Sequence, residues 1–162
     1  MDLPHGDEPV CVSPAIRSLE IRLNDSQWSS NETRAKGMRR LALAQLGSAG
    51  AINDVEFAKR VAELVISKQV PIALRAAAKI HPDSNHKAKL LDAAMRCEKE
   101  KTSDAASDAD NCAASAASAA SYAARAASDA DQTLSQFAED VVQILFKMKG
   151  PGCQWLHLTE AA

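Results

Sequence analysis

The sequence predicts an all-α fold, a compact bundle of about five to six helices that includes one long alanine-rich helix. Apolar residues recur every three or four positions through most of the 162-residue chain, which is the period of an amphipathic helix. Neither glycine nor proline occurs between Asp83 and Lys149, so helices can run uninterrupted there. The length and the 46% hydrophobic content suit a single domain with its own core.

The first element is ambiguous. In "SLEIRL", residues 18–23, Leu19, Ile21 and Leu23 alternate as in a strand, whereas Ser13 followed by Pro14 is typical of a helix N-terminus. We favour a helix, because no second strand is evident to pair with this one. The expected domain organisation is an acidic N-terminal arm or first helix over residues 1–28 and a helical bundle domain with an apolar C-terminal tail over residues 29–162.

Capping residues place the next three helices. Ser29 and Glu32 have the spacing of a capping box, and the helix that follows should end at Gly47. Asn53 should begin another helix, which Pro71 should stop, and a short helix over residues 72–80 should follow. A further helix should start near Ser84 and bury four apolar side chains: Leu90, Leu91, Ala94 and Met95.

The alanine-rich stretch "AASDADNCAASAASAASYAARAASDAD", residues 105–131, resembles a low-complexity tether, but its polar residues are spaced as on a helix. With Asp104 just before it, a polar row advances in steps of four and three residues and so keeps to one helical face: Asp104, Asp108, Asn111, Ser115, Ser118, Tyr122, Arg125 and Asp129. Alanines fill the opposite face, on which Cys112 is expected to be buried. We therefore predict a packed helix, and a disordered tether stays open as the alternative.

The last helix and the tail carry the largest apolar side chains. Residues 134–149 have the strongest apolar stripe in the chain, and Gly150 and Pro151 should end the helix. In the tail "GPGCQWLHL", Trp155, Leu156 and Leu158 either fold back over the bundle or dock on another chain. The second alternative would suit a homodimer.

Charge is segregated along the sequence. Residues 34–101 hold fourteen basic and seven acidic side chains, a net charge of +7, whereas residues 1–33 and 102–140 carry −4 and −6. Packed helices could neutralise one another, or a basic patch could stay free for an anionic partner. The candidate patch consists of Arg34, Lys36, Arg39, Arg40, Lys59 and Arg60. The total of −2 and the 4% aromatic content do not favour a nonspecific nucleic-acid binder.

Catalytic and metal-binding patterns are weak. His81, Asp83 and His86 lie within six residues of one another but at a helix boundary, where such residues serve as turn and cap. The four cysteines form no CxxC pair, and no phosphate-loop, GxSxG or HExxH motif occurs. We therefore expect no enzyme activity, no cofactor and no metal. Neither a signal peptide nor a membrane span is indicated, so we expect a cytoplasmic protein.

Three stretches together resemble small phage and prophage proteins described as immunity proteins: "KGMRRLALAQL", the alanine-rich run and "LFKMKGPGCQWLHL". These stretches also resemble, in their alanine-rich composition, the immunity proteins of bacterial toxin systems. The resemblance covers roughly residues 30–158. It implies a phage-type inhibitor in a bacterial or phage-infected cell that binds and blocks a host or competitor protein, such as a component of antiviral defence.

From the residues themselves we expect a partner to be bound by Arg39 and Arg40, by the aromatic Trp155, and by Tyr122 and Arg125 on the polar face of the alanine-rich stretch. The alternative function is a module that binds a nucleotide or nucleic acid through the basic segment, residues 34–101.

Overall fold

Helices make up all of the regular secondary structure in residues 9–80, 82–100 and 130–159, the residues that the computed structural model describes. The α-helices are α1 (Pro14–Asn24), α2 (Asn31–Ala44), α3 (Asp54–Leu64), α4 (Val70–Ile80), α5 (Ser84–Glu100) and α6 (Ala130–Lys147). A π-helical turn, Val65–Gln69, joins α3 to α4, and a 3₁₀ helix, Pro151–Thr159, follows α6. The predicted all-α fold is confirmed.

The ambiguous segment is helical and belongs to α1. Pro14 occupies the first turn, and the Ser13 hydroxyl oxygen accepts the backbone N–H of Ile16 at 3.4 Å. Ile16, Leu19 and Leu23 are completely buried, a spacing of three and four residues that only a helix places on one face. The first helix thereby shares a core with the rest of the bundle.

The start of α2 differs from the prediction by one residue. Ser30, not Ser29, is the N-cap, and its hydroxyl accepts the N–H of Thr33 at 3.1 Å. Ser29 instead binds Asp131, whose carboxylate accepts the backbone N–H of Ser29 at 2.9 Å and also the Ser29 hydroxyl. Assignment of the cap to Ser29 was wrong, because a carboxylate at the start of α6 engages that residue.

Pro71 does not stop the helix that precedes it, contrary to the prediction. Asn53 caps α3 as expected, accepting the Glu56 N–H at 2.9 Å, but the backbone stays helical through Pro71 into α4. The π-helical turn precedes this proline, and the N–H of Val70 bonds to the carbonyl of Val65. A proline lacks an N–H and collides with the carbonyl four residues before it, and a wider turn relieves both problems.

The core is centred on α6, which packs against α2, α3 and the 3₁₀ helix. Gly37 lies where α2 and α6 cross, because an added Cβ atom would come within 2.7 Å of the Trp28 ring and 2.6 Å of the Ser135 hydroxyl. Apart from Pro71 of α4, the largest fully buried apolar side chains come from α1, α2, α3 and α6: Ile16, Leu19, Leu23, Leu41, Phe57, Val61, Leu134, Phe137, Val141, Val142 and Leu145.

Helices α4 and α5 form a hairpin beside this core. Asp83 caps α5 by accepting the N–H of His86 at 2.9 Å, and Ala94 is buried against the hairpin partner. Leu91 and Met95 are 44% and 49% exposed, so the prediction that they are buried was wrong. Among the described elements α5 contacts α4 and the π-helical turn, which cover one narrow face of the helix.

The predicted packed alanine-rich helix over residues 105–131 lies outside the described residues except for residues 130 and 131, which begin α6, and the burial of Cys112 lies outside them too. Within the described ranges, no helix combines the length and the apolar character needed to cross a membrane.

Candidate functional site

The C-terminal 3₁₀ helix is held against the bundle by a close approach of backbones. A Cβ atom at Gly152 would overlap the carbonyl oxygens of Leu43 and Ala44 at the end of α2, so this position has room only for glycine. Leu156 points into the core. Its carbonyl accepts the Thr159 hydroxyl at 2.6 Å, which ties down the last turn. The tail therefore folds back through Gly152 and Leu156.

Fold-back leaves two large apolar side chains in contact with water. Trp155 is 46% exposed and Leu158 is 53% exposed. The two are three residues apart, and a 3₁₀ helix has three residues per turn, so they share one face. We call Trp155 and Leu158 the apolar pair. It is the part of the predicted tail that is available to another molecule.

The adjacent arginines of α2 have different surroundings. Arg40 is partly buried: its Nε lies 2.9 Å from the Glu139 carboxylate on α6, and its Nη1 donates to the Thr159 hydroxyl at 3.4 Å. Arg40 thus connects α2, α6 and the end of the 3₁₀ helix. Arg39 is exposed and lines a groove between α1 and α2. Successive helical residues diverge by about 100°, which separates the two guanidinium groups.

The structure does not bring the five predicted binding residues together in one described site. Arg39 and Trp155 are both accessible, and Arg40 supports the segment that carries Trp155. Tyr122 and Arg125 lie outside the described residues. Their role in binding, and the homodimer suggested by the tail, stay predictions.

Five basic side chains of the basic segment, residues 34–101, are paired with carboxylates. Arg60 pairs with Glu56 at 2.6 Å within α3, and Lys68 reaches Asp140 on α6 at 2.8 Å. Three further pairs are Arg40–Glu139, Arg75–Glu98 and Arg96–Asp92. The Arg75 guanidinium lowers the pKa of the Glu98 carboxyl through a two-pronged hydrogen bond with distances of 2.7 and 2.8 Å. Of these five pairs, Arg40–Glu139 and Lys68–Asp140 join the basic segment to carboxylates of α6, whereas the other three use carboxylates within residues 34–101.

A second accessible feature, the groove between α1 and α2, was not predicted. It has a volume of about 410 Å³, and α1 contributes Arg17, Glu20 and Ile21 to its lining. Five lining residues come from α2 and its C-cap, namely Ala35, Met38, Arg39, Ala42 and Gln45, and the rest of the lining is Pro9, Asn24 and Asp25. Burial raises the pKa of Glu20 to about 7, and a hydrogen bond with the Gln45 side chain opposes this rise only in part. The Oε1 atom of Gln45 is buried without a hydrogen-bond partner in the described part of the chain.

Sequence patterns gave no indication of this groove. Glu20 lies inside the segment whose helical or extended state was ambiguous, and Gln45 is near the end of the predicted α2. The two residues face one another only because α1 and α2 pack on the same core. This packing is tertiary structure, which local sequence patterns do not predict. A polar residue on the inner side of each helix was the one available clue.

The histidine-bearing turn acts as a helix cap. Asp83 accepts the N–H of His86, and His86 Nδ1 lies 3.2 Å from the same carboxylate, so hydrogen bonds from His86 lower the pKa of Asp83. His81 lies outside the described residues. Within the described ranges no group of three potential metal ligands comes together.

The described chain is thus a helical bundle that presents an apolar pair at its C-terminal end and a polar groove between its first two helices. No protein-family model, no curated protein and no solved structure matches the sequence. The resemblance to phage immunity proteins therefore stays a prediction.

Proposed function

We propose that this chain is a noncatalytic binding protein that blocks a partner protein by docking the apolar pair on it. The observation that carries the proposal is the exposure of Trp155 and Leu158 on one face of a helix that is fixed in place. Tryptophan is prominent among residues that dominate binding energy once water is excluded from them. The proposal agrees in kind with the phage-type inhibitor that the sequence resemblance implies, acting on a host or competitor protein such as an antiviral defence component.

Rigidity of the segment supports a binding role. Gly152 and Leu156 anchor the 3₁₀ helix on α2 and the core, and Arg40 reaches its last residue, Thr159. Little conformational entropy would be lost on docking, because the apolar pair is already positioned in the free protein. A flexible tail with the same side chains would bind more weakly.

The alternative function, nucleotide or nucleic-acid binding through residues 34–101, has less support. Five basic side chains of this segment are in ion pairs with carboxylates: Arg40, Arg60, Lys68, Arg75 and Arg96. A paired cation contributes less to counterion release from a phosphate backbone than an unpaired one. Protein binding through the apolar pair should also depend weakly on salt, whereas binding to phosphates should weaken steeply.

Affinity capture from bacterial lysate with matched variants tests the proposal. The test variant combines Trp155→Ala with Leu158→Ser. The control combines Leu91→Ser with Met95→Ser on α5, which removes two apolar side chains of comparable exposure, 44% and 49%. Circular dichroism melting checks that both variants fold.

We expect the wild-type chain and the α5 control to capture the same protein, and the Trp155/Leu158 variant to capture at least about tenfold less of it. Equal capture by all three proteins would contradict the proposal. Loss of capture in the α5 control alone would also contradict it, and would assign the interface to the α4–α5 hairpin.

A further inference from the structure

The groove between α1 and α2 contains hydrogen-bonding groups that the described fold leaves unused. The Gln45 Oε1 atom is buried and has no partner there, although a buried carbonyl oxygen without a hydrogen bond is unfavourable by about 1–3 kcal/mol. Beside Gln45 lies the Glu20 carboxyl, which burial disfavours in its charged form. Both groups accept hydrogen bonds when Glu20 is ionised. A donor group in the groove would satisfy them together.

Positive charge lines the same groove. Arg17 is on α1 and Arg39 on α2, and neither forms an ion pair within the described residues. Asp25 is the remaining charged residue of the lining. Guanidinium groups bind carboxylates through paired N–H donors, so a ligand carboxylate would have two candidate partners.

Apolar side chains separate these polar groups. Ile21 comes from α1, and Ala35, Met38 and Ala42 from α2. The volume of about 410 Å³ lies within the range of small-molecule sites and exceeds that of a single amino acid. Small side chains along α2 keep the groove open.

We propose that this groove is a binding site for a free amino acid with an apolar side chain. The α-ammonium group would donate to Glu20, and to Gln45 Oε1 when the Gln45 side chain turns this buried atom toward the groove. The carboxylate would meet Arg17 or Arg39, and the side chain would lie along Met38 and Ile21. A simple amine would leave the arginines without a partner. A simple carboxylic acid would leave Gln45 Oε1 without a donor and would add none to the hydrogen bond that Glu20 already has with the Gln45 side chain.

Titration of the ¹⁵N-labelled full chain by NMR tests this site with three probes of one carbon skeleton. L-leucine carries both polar groups, isoamylamine carries only the ammonium, and 4-methylpentanoate carries only the carboxylate. We expect leucine to shift the backbone resonances of α1 and α2 around the groove and to bind at least about tenfold more tightly than either analogue near pH 8.

Three variants locate the binding. Glu20→Gln and Arg39→Ala should each weaken leucine binding by about tenfold, whereas Arg22→Ala, which removes an exposed cation of α1 outside the groove lining, should not change it. The spectra themselves show whether each variant is folded.

The site predicts a definite pH dependence as well. An ammonium ligand stabilises the ionised Glu20 carboxylate, so leucine should bind more tightly as the pH rises through about 7. Arg17, Arg39 and Asp25 are the other charged residues that line the groove. Any of four results would overturn the proposal: absence of shifts at about 10 mM leucine, equal affinity for leucine and either analogue, unchanged affinity in Glu20→Gln, or affinity that falls over this pH range.

Discussion

Lys149 adopts a backbone conformation that usually belongs to glycine. Its φ angle is 58°, in the left-handed region, and it follows the end of α6. The N–H of Gly150 donates to the Leu145 carbonyl at 2.9 Å, and the N–H of Lys149 donates to the Phe146 carbonyl at 3.0 Å. These two bonds form a Schellman motif, in which a left-handed residue closes the helix. The sequence predicted that the helix ends at Gly150, which is one residue after Lys149, the residue with the strained backbone.

Lys149→Gly should therefore stabilise the protein. Glycine adopts the left-handed conformation without the steric penalty of a Cβ atom, so we expect the free energy of unfolding to rise by about 0.5–1 kcal/mol. Denaturant unfolding measures this change. The matched control is Lys147→Gly, two residues earlier and still helical, which should lower stability by up to about 1 kcal/mol. A loss of stability in Lys149→Gly would contradict this expectation, because it would show that the lysine side chain stabilises the fold by more than the backbone strain destabilises it.

Glu20 should make stability depend on pH. Its pKa is about 7 in the folded chain, against 4.5 for an ordinary glutamate, so between these values the unfolded state loses a proton that the folded state keeps. The contribution of Glu20 to stability consequently falls as the pH rises from about 4.5 to about 7, and is constant above that. Arg17, Arg39 and Asp25 line the same groove.

Glu20→Gln removes this pH dependence. We expect the variant to exceed the wild type by roughly 1–3 kcal/mol near pH 8 and by much less near pH 5, as measured by denaturant unfolding at both values. Glu32→Gln, at an exposed position in the first turn of α2, controls for the loss of one negative charge. A difference between Glu20→Gln and wild type that does not grow with pH would contradict the burial of an uncharged carboxyl.

The helical elements show which boundaries follow from local sequence. The capping of α3 by Asn53 and the left-handed Gly47 after α2 depend on neighbouring residues, and both could be predicted. The cap of α2 could not, because Asp131 binds Ser29 from 102 residues away. Pro71 was misjudged for a related reason: its effect on the helix depends on whether the preceding turn widens.

The 3₁₀ helix should detach when its contact with α2 is blocked. Gly152→Ala places a methyl group on the Leu43 and Ala44 carbonyls, and backbone cannot move aside cheaply, so we expect a loss of about 1–3 kcal/mol. Hydrogen exchange should show lost protection over residues 151–159, with α2 and α6 still protected. Gly37→Ala is the control, because its Cβ meets the Trp28 and Ser135 side chains at the α2–α6 crossing instead. Full protection of residues 151–159 in Gly152→Ala would contradict the close approach.

In the molecule as a whole, the fold class could be predicted from the sequence, whereas some surface features could not. Apolar spacing was sufficient for the all-α fold and for the inner face of α6, which repeats with the helical period, whereas the spacing in α1 was also compatible with a strand. It was not sufficient for α5, where Leu91 and Met95 follow the same spacing but are exposed. Trp155 could be identified as a surface candidate from its place in an apolar tail. The groove of Glu20 and Gln45 could not, because it arises from the placement of two helices.

Charge also acts at the scale of the whole molecule. Carboxylates of α6 pair with basic residues of other elements, as in Arg40–Glu139 and Lys68–Asp140. These bridges are partly exposed, and each contributes about 1 kcal/mol or less to stability. They offset the positive charge of Arg40 and Lys68, which favours the apolar pair over the basic segment as the proposed binding surface.

Hydrogen–deuterium exchange of the chain, with and without the partner obtained by affinity capture, reports where the partner binds and so tests whether the apolar pair is the interface. We expect the partner to slow exchange in residues 151–159, which carry Trp155 and Leu158, and to leave α5 unchanged. Protection confined to α5 or to the groove between α1 and α2, with unchanged exchange in residues 151–159, would contradict the proposed interface.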